Sequence, residues 1–195
     1  MNPTSYPHYD LKPSPWIARF AHLVPAGARV LDLACGYGRH ALYFAARGAH
    51  VIAIDRDATA LATLSGIVGI DTLVADLEGS PWPLASERFD AIVVSHYLHR
   101  PLFTHLRAAL ADDGVLLYET FAQGNEAFGR PSNPAFLLRT GELLELAMAA
   151  PQPLTVVAFE QGLADIAERP AVLQRLAAVG PARVWPPVVE PHRAN

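Results

Sequence analysis

The stretch from Val30 to His40 reads VLDLACGYGRH. An apolar run ends at the acid Asp32, and the turn formed by Gly36 and Gly38 follows. GYGRHA fits the pattern Gly-x-Gly-x-x-(Gly/Ala), in which glycines let the backbone approach a ligand and leave N–H groups free to face it. The pattern alone is shared by several nucleotide-binding families. A second acid, Asp55, ends the next apolar run. An acid in that place accepts from both hydroxyls of a ribose, or caps the helix that follows; Asp57 is available for the cap. Asp76 ends a third run in VADLEG. Its carboxylate suits an adenine amino group with Leu77 against the ring, or serves only to hold a turn.

Asp32 bears on which nucleotide-like cofactor the loop takes. A dinucleotide brings a pyrophosphate, and an acid at the loop mouth repels it. S-adenosylmethionine brings an ammonium and a cationic sulfur, which a carboxylate attracts directly or through water, and a carboxylate that suits the helix N-terminus behind the loop. Asp32 therefore favours S-adenosylmethionine over NAD. Arg56 suits the 2′-phosphate of NADP, but the adjacent Asp55 repels it.

Two further stretches carry chemistry. SHYLHR at 95–100 is rich in polar and aromatic groups. His96 or His99 would act as a base or hold an anion, Tyr97 would set its ring against a cationic sulfur, and Arg100 would grip a carboxylate or phosphate. The alternative is a hydrogen-bonded corner with Arg100 in solvent. YETFAQGNEAFGRPSNP at 118–134 would bring Glu119 near the cleft and Phe121 and Phe128 to its walls. Gly124 and Gly129 suit a mobile lid, and Pro131 and Pro134 stiffen its far end. A loop that covers the sheet edge is the other reading of 122–139.

These residues need strands that end beside one another. ARVLDLA, HVIAID, TLVAD, FDAIVVS and VLLYETF read as buried strands. Helical stretches at 38–47, 57–66 and 101–111 separate most of them, with DDG at 112–114 as a turn. The alternation predicts a doubly wound parallel sheet with both faces covered. An N-terminal helix at 14–23 has Ser14 as its cap and Pro15 at its first position. A helix near 140–149 and a strand at 154–161 follow, and 171–180 suits a helix or a strand. The proline-rich residues 181–195 read as an extended tail, and residues 1–12 as a loose arm that folds, through Tyr6, His8 and Tyr9, over the cofactor.

At 195 residues the chain suits one domain, 1–195. A hydrophobic share of 51% with 17% charged residues excludes a disordered chain. A net charge of −4 argues against nucleic acid and anionic membranes. No run is long enough to span a bilayer, and the N-terminus lacks a secretion signal. The one cysteine, Cys35, fits a cytoplasmic protein, and the histidines show no metal-ligand spacing apart from His96 and His99 at a loop-like i, i+3, which falls short of the three ligands and an acid a metal site needs.

VLDLACGYGRHALYFAARGAHVIAIDRD resembles motif I and the second strand of class I S-adenosylmethionine-dependent methyltransferases. FDAIVVSHYLHRPLFTHLRAALADDGVLLYETF resembles their fourth strand, following helix and fifth strand. The likeness covers about residues 25–150 and is nearest to small bacterial methyltransferases of the tellurite-resistance type. It implies a seven-stranded sheet whose last strand is antiparallel and pairs with the sixth, and so a strand at 171–179. It implies that Asp32, Ala34, Gly36 and Gly38 line the methionine end of the cofactor, that Asp55 holds the ribose with Arg56 beside it, that Asp76 and Leu77 frame the adenine, and that Ser95 lies near the sulfonium. Ala34 departs from the family's frequent glycine. The expected function is methyl transfer to a small molecule by in-line displacement. His96 and Tyr97 are the catalytic candidates; these two with Arg100, Glu119, Phe121 and Phe128 are the substrate-binding candidates. The alternatives are a cofactor-binding regulatory module without turnover and an NAD(P)-linked oxidoreductase.

Overall fold

The computed structural model describes residues 11–149, 151–166 and 169–185. The expected N-terminal arm with Tyr6, His8 and Tyr9, and the tail beyond Trp185, lie outside these. Five strands come first: β1 (Arg29–Leu33), β2 (His50–Asp55), β3 (Ile70–Val74), β4 (Phe89–Ser95) and β5 (Leu110–Phe121). β6 (Thr155–Ile166) and β7 (Arg169–Val179) complete one sheet in the order β3-β2-β1-β4-β5-β7-β6. β1 to β5 pair in parallel, and β7 runs antiparallel between β5 and β6. The stretch 171–180, open to either structure on periodicity, is thus a strand, as the family resemblance implied. β6 is longer than expected.

The helices α1 (Pro15–Phe20), α2 (Arg39–Ala45), α3 (Ala58–Ala62), α4 (Leu102–Ala109) and α5 (Glu142–Met148) flank the sheet. Ser14 caps α1 by accepting from the Trp16 N–H, and Asp57 caps α3 by accepting from those of Thr59 and Ala60. No helix among the described residues is long and apolar enough to cross a membrane.

Strand alternation sorts the core. Val30, Ala91, Val93, Val115, Leu117 and Ala177 pack with α1, α2 and α3 on one face. Leu31, Leu33, Ile92, Val94, Leu116, Tyr118 and Leu176 pack with α4 and α5 on the other. The DDG expected as a turn lies inside β5. There the register against β4 jumps from Phe89↔Leu110 to Ala91↔Val115, so the exposed Asp112 and Asp113 form a bulge. The tail fixes it: Gly180 N–H donates to Gly114 O and Ala182 N–H to Asp112 O. Trp185 packs on the same face as α1. Strand order reverses between β1 and β4, which opens a crevice beyond their carboxyl ends.

Candidate functional site

The glycine loop links β1 to α2. Gly36 and Gly38 have φ of +54° and +72°, and Gly38 caps α2. A Cβ on Gly38 would collide with Leu64, so glycine is needed there twice over. The loop is tied to β2: Cys35 N–H donates to Ile54 O at 3.0 Å, and Gly36 N–H to the Asp55 Oδ2 at 2.7 Å. Asp55 Oδ1 accepts from Asp57 N–H at 2.9 Å. Each carboxylate oxygen keeps a further lone pair for a ligand. Burial pushes the Cys35 thiol far up, with Asp32 and Asp55 adding to it, so it stays protonated.

Asp32 requires a correction. It lies on the α2 face of β1, beneath the loop, and is 1% exposed. Its Oδ2 accepts from Ala41 N–H at 2.8 Å, and its Oδ1 is 4.0 Å from His40 Nδ1. Burial raises its pKa to about 7. It anchors α2 and does not line the cleft mouth, so direct repulsion of a pyrophosphate by Asp32 drops out. His40, also buried, accepts from Ser14 N–H through Nε2 at 3.2 Å, and burial lowers its pKa to about 3.

The crevice holds a cavity of about 370 Å³. Ala34, Asp55, Arg56, Asp76, Leu77, His96 and Tyr97 line it, with Ala75, Glu78 and Phe136. Asp76 lines the cavity and holds a turn, accepting from Glu78 N–H at 3.0 Å. The Glu78 and Gly79 N–H groups keep its carboxyl below the ordinary range. Burial raises the Tyr97 hydroxyl well above its ordinary pKa, and the Glu78 carboxylate, to which it is hydrogen-bonded, adds to this. Tyr97 is therefore a wall and a poor base. Phe136 reaches this cavity from the 122–139 loop, which residue spacing did not foretell.

Ala34 (φ +52°) and His96 (φ +55°) are the only non-glycine residues with positive φ among those described, and both line the cavity. Such conformations cost about 1–3 kcal/mol and gather at functional sites. The family's glycine at the Ala34 position fits this backbone.

The fourth-strand corner is firmly held. Tyr118 OH donates to Tyr97 O at 3.0 Å, and His96 N–H to Glu119 O at 2.9 Å. Ser95 lies on the α2 face of β4, and its Oγ accepts from Arg39 at 2.9 Å. Arg39 was missed by sequence reading, although strand parity and its place at the start of α2 put it opposite Ser95. His96 opens to the cavity and packs on Phe121, with ring centroids 5.0 Å apart. Desolvation by the surrounding protein holds its ring below the ordinary imidazole range; Glu119 opposes this, while Arg39 and Arg175 add to it.

Two expected substrate contacts are structural instead. Arg100 donates twice to Glu142, at 2.6 and 2.9 Å, and also to Ala135 O and Leu137 O. It clamps the 122–139 loop to α5 and has no free fork for a substrate anion. Glu119 is 2% exposed, on the α2 face of β5, and pairs with Arg175 at 2.9 Å. Phe121 and Phe128 line a separate cavity beyond His96.

The expected lid is strapped down. Asn125, buried, donates to Pro131 O at 2.9 Å and accepts from Val172 N–H at 3.1 Å. Ala122 bridges Leu138, and Gln174 joins Arg139 O to Leu143 N–H.

Comparison with known proteins bears on what this arrangement does. Residues 30–114, from β1 into β5, match the family described as a methyltransferase domain. No curated protein matches the sequence. TehB from Haemophilus influenzae is similar in structure, with a TM-score of 0.68 and 18% identity over 84% of this chain; the chain spans only 61% of its length. An S-adenosylmethionine-dependent methyltransferase from Mesorhizobium loti gives a TM-score of 0.62 and 20% identity, covering 83% of this chain and 96% of its own. Coclaurine N-methyltransferase, bound to N-methylheliamine and S-adenosylhomocysteine, gives 0.60 and 16%, covering 76% of this chain and 50% of its own. Residues 30–114 are thus similar to a methyltransferase domain, and the fold is the one found in S-adenosylmethionine-dependent methyltransferases.

Proposed function

We propose that this protein, working as a single cytoplasmic domain, transfers a methyl group from S-adenosylmethionine to a small-molecule acceptor. The observation that carries this reading is the Asp55 carboxylate at the end of β2, facing a cavity walled by Leu77 and Tyr97. Asp55 accepts from the two ribose hydroxyls, with Arg56 beside it. Asp76 and Leu77 frame the adenine. Ala34 and the backbone of Gly36 and Gly38 border the methionine end, and Ser95, held by Arg39, stands across from them. Asp32 supports this end from below the loop.

The donor set fits this cofactor better than a dinucleotide. Gly36 N–H, which a pyrophosphate would take, already donates to Asp55. When bound, S-adenosylmethionine supplies an electrophilic methyl carbon, which the acceptor's lone pair takes while the carbon–sulfur pair stays on sulfur. The protein's share is positioning, worth several powers of ten, and exclusion of water. The neutral His96 ring is placed to take the acceptor's proton where it has one to lose. The net charge of −4 favours a small acceptor over a nucleic acid. The cytoplasmic location rests on the single cysteine.

Isothermal titration tests the reading. Saturable heat with S-adenosylhomocysteine and none with NAD is the expected result; saturable heat with NAD alone would sink it and favour an oxidoreductase. Binding without methylation of any acceptor would favour a regulatory module.

A further inference from the structure

Beyond His96, under the 122–131 segment, lies a second cavity of about 380 Å³. His96 lines both this cavity and the one at Asp55, and no other described residue lines both. A ring at that boundary touches whatever occupies either side. Resting on the methyl-transfer reading, we infer that this second cavity is the acceptor subsite, and that it takes a single-ring aromatic carboxylate bearing a hydroxyl or amino nucleophile.

The walls select the ring. Phe121 packs on His96 at a tilt of 32°, and Phe128 is 46% exposed although it faces a cavity. Exposed aromatic surface beside a second aromatic ring favours a flat apolar guest by offset or edge contact. Pro170 and Ala171 from β7 add an apolar margin.

The rim selects the charge. Arg130 is exposed, lines the cavity and has no hydrogen bond or ion pair among the described residues. The other arginines near the corner are engaged: Arg39 with Ser95, Arg100 with Glu142, and Arg175 with Glu119 and Glu160. Among the described residues that line this second cavity, Arg130 is the cation placed to receive an anion, and its planar fork matches a carboxylate.

The pocket is built before the ligand arrives. Asn125 ties the segment to Pro131 and Val172, and Glu126 accepts from Gly124 N–H at 2.9 Å. An acceptor with its ring on Phe128 and its carboxylate on Arg130 turns its far end toward His96. In the transfer the hydroxyl oxygen would bond the methyl carbon as the carbon–sulfur bond breaks with its electron pair on sulfur, and the hydroxyl proton would pass to the His96 ring.

The test uses 4-hydroxybenzoate and its uncharged analogue 4-hydroxybenzamide on the full chain. Binding is read by titration in the presence of S-adenosylhomocysteine, and turnover by transfer of labelled methyl. The benzoate is expected to bind about tenfold more tightly than the amide. R130A should abolish that preference, R130K should restore part of it, and F128A should weaken both ligands alike. H96Q should lower turnover by far more than it weakens S-adenosylhomocysteine binding. Equal binding of acid and amide, a preference that survives R130A, or no saturable binding of either would overturn the inference. If S-adenosylhomocysteine itself fails to bind the wild-type chain, the methyl-transfer reading fails first, and the inference with it.

Discussion

The two sides of the His96 corner are held together in different ways. On the β1–β3 side, the cavity wall is held by strand-end carboxylates that reach nearby backbone N–H groups: Asp55 to Gly36 and Asp57, and Asp76 to Glu78. On the β4–β5 side, distant segments are bolted to one another: Arg100 to Glu142, Asn125 to Val172, Gln174 to Leu143. On the methyl-transfer reading the first side takes the cofactor and the second, shaped by long-range bonds, takes the acceptor, and so the two sides should fail differently when altered.

Removing a bolt should cost the most. Arg100→Ala leaves the buried Glu142 carboxylate without its main partner and should destabilise the fold by about 3 kcal/mol in urea melts. Were Arg100 a substrate grip, KM would rise with stability unchanged. Next, Asp55→Ala should weaken S-adenosylhomocysteine about 100-fold by titration, since two charge-assisted hydrogen bonds go. Asn125→Ala should cost about 2 kcal/mol in stability and raise the acceptor KM, while S-adenosylhomocysteine affinity stays as in the wild type. An equal loss on both sides would erase the contrast.

Asp32 and His40 sharpen the local side. His40, lowered to about 3, contributes stability that is present above its unfolded pKa of 6.5 and lost as the pH falls. Asp32, raised to about 7 from 3.8, contributes stability that is present below 3.8 and lost as the pH rises. Where these windows overlap, between pH 3.8 and 6.5, the two slopes oppose one another. Asp32→Asn keeps an acceptor for Ala41 N–H and removes one slope. Relative to the wild type, its urea midpoint should then fall from pH 6.5 toward pH 4, by at most about 1.4 kcal/mol per unit. Parallel curves would contradict the assignment. The smallest effect is expected of Ala34→Gly, which relieves a left-handed φ at some cost in chain entropy: a gain of about 0–1 kcal/mol by thermal melting.

The same contrast decided what the sequence disclosed. The glycine loop, Asp55, the Ser14 and Asp57 caps and the strand alternation are local patterns, and they were legible. The direction of β7 was not: AVLQRLAAVG suits two structures on periodicity, and only the family resemblance chose the strand. Asp32 and Glu119 were read as facing the cleft because they stand at or near strand ends. Strand parity sends both to the α2 face, where Ala41 N–H and Arg175 await them. Arg100 was read as a free grip because its partner Glu142 lies 42 residues away, beyond any local pattern. Arg39 and Phe136 were missed for the same reason.

The most direct test of this division is a crystal structure with S-adenosylhomocysteine bound. The ribose hydroxyls are expected on Asp55, the adenine against Leu77, and the sulfur toward His96, with the cavity beside Phe128 and Arg130 still open. An adenine lodged beside Phe128, or a ribose away from Asp55, would contradict it.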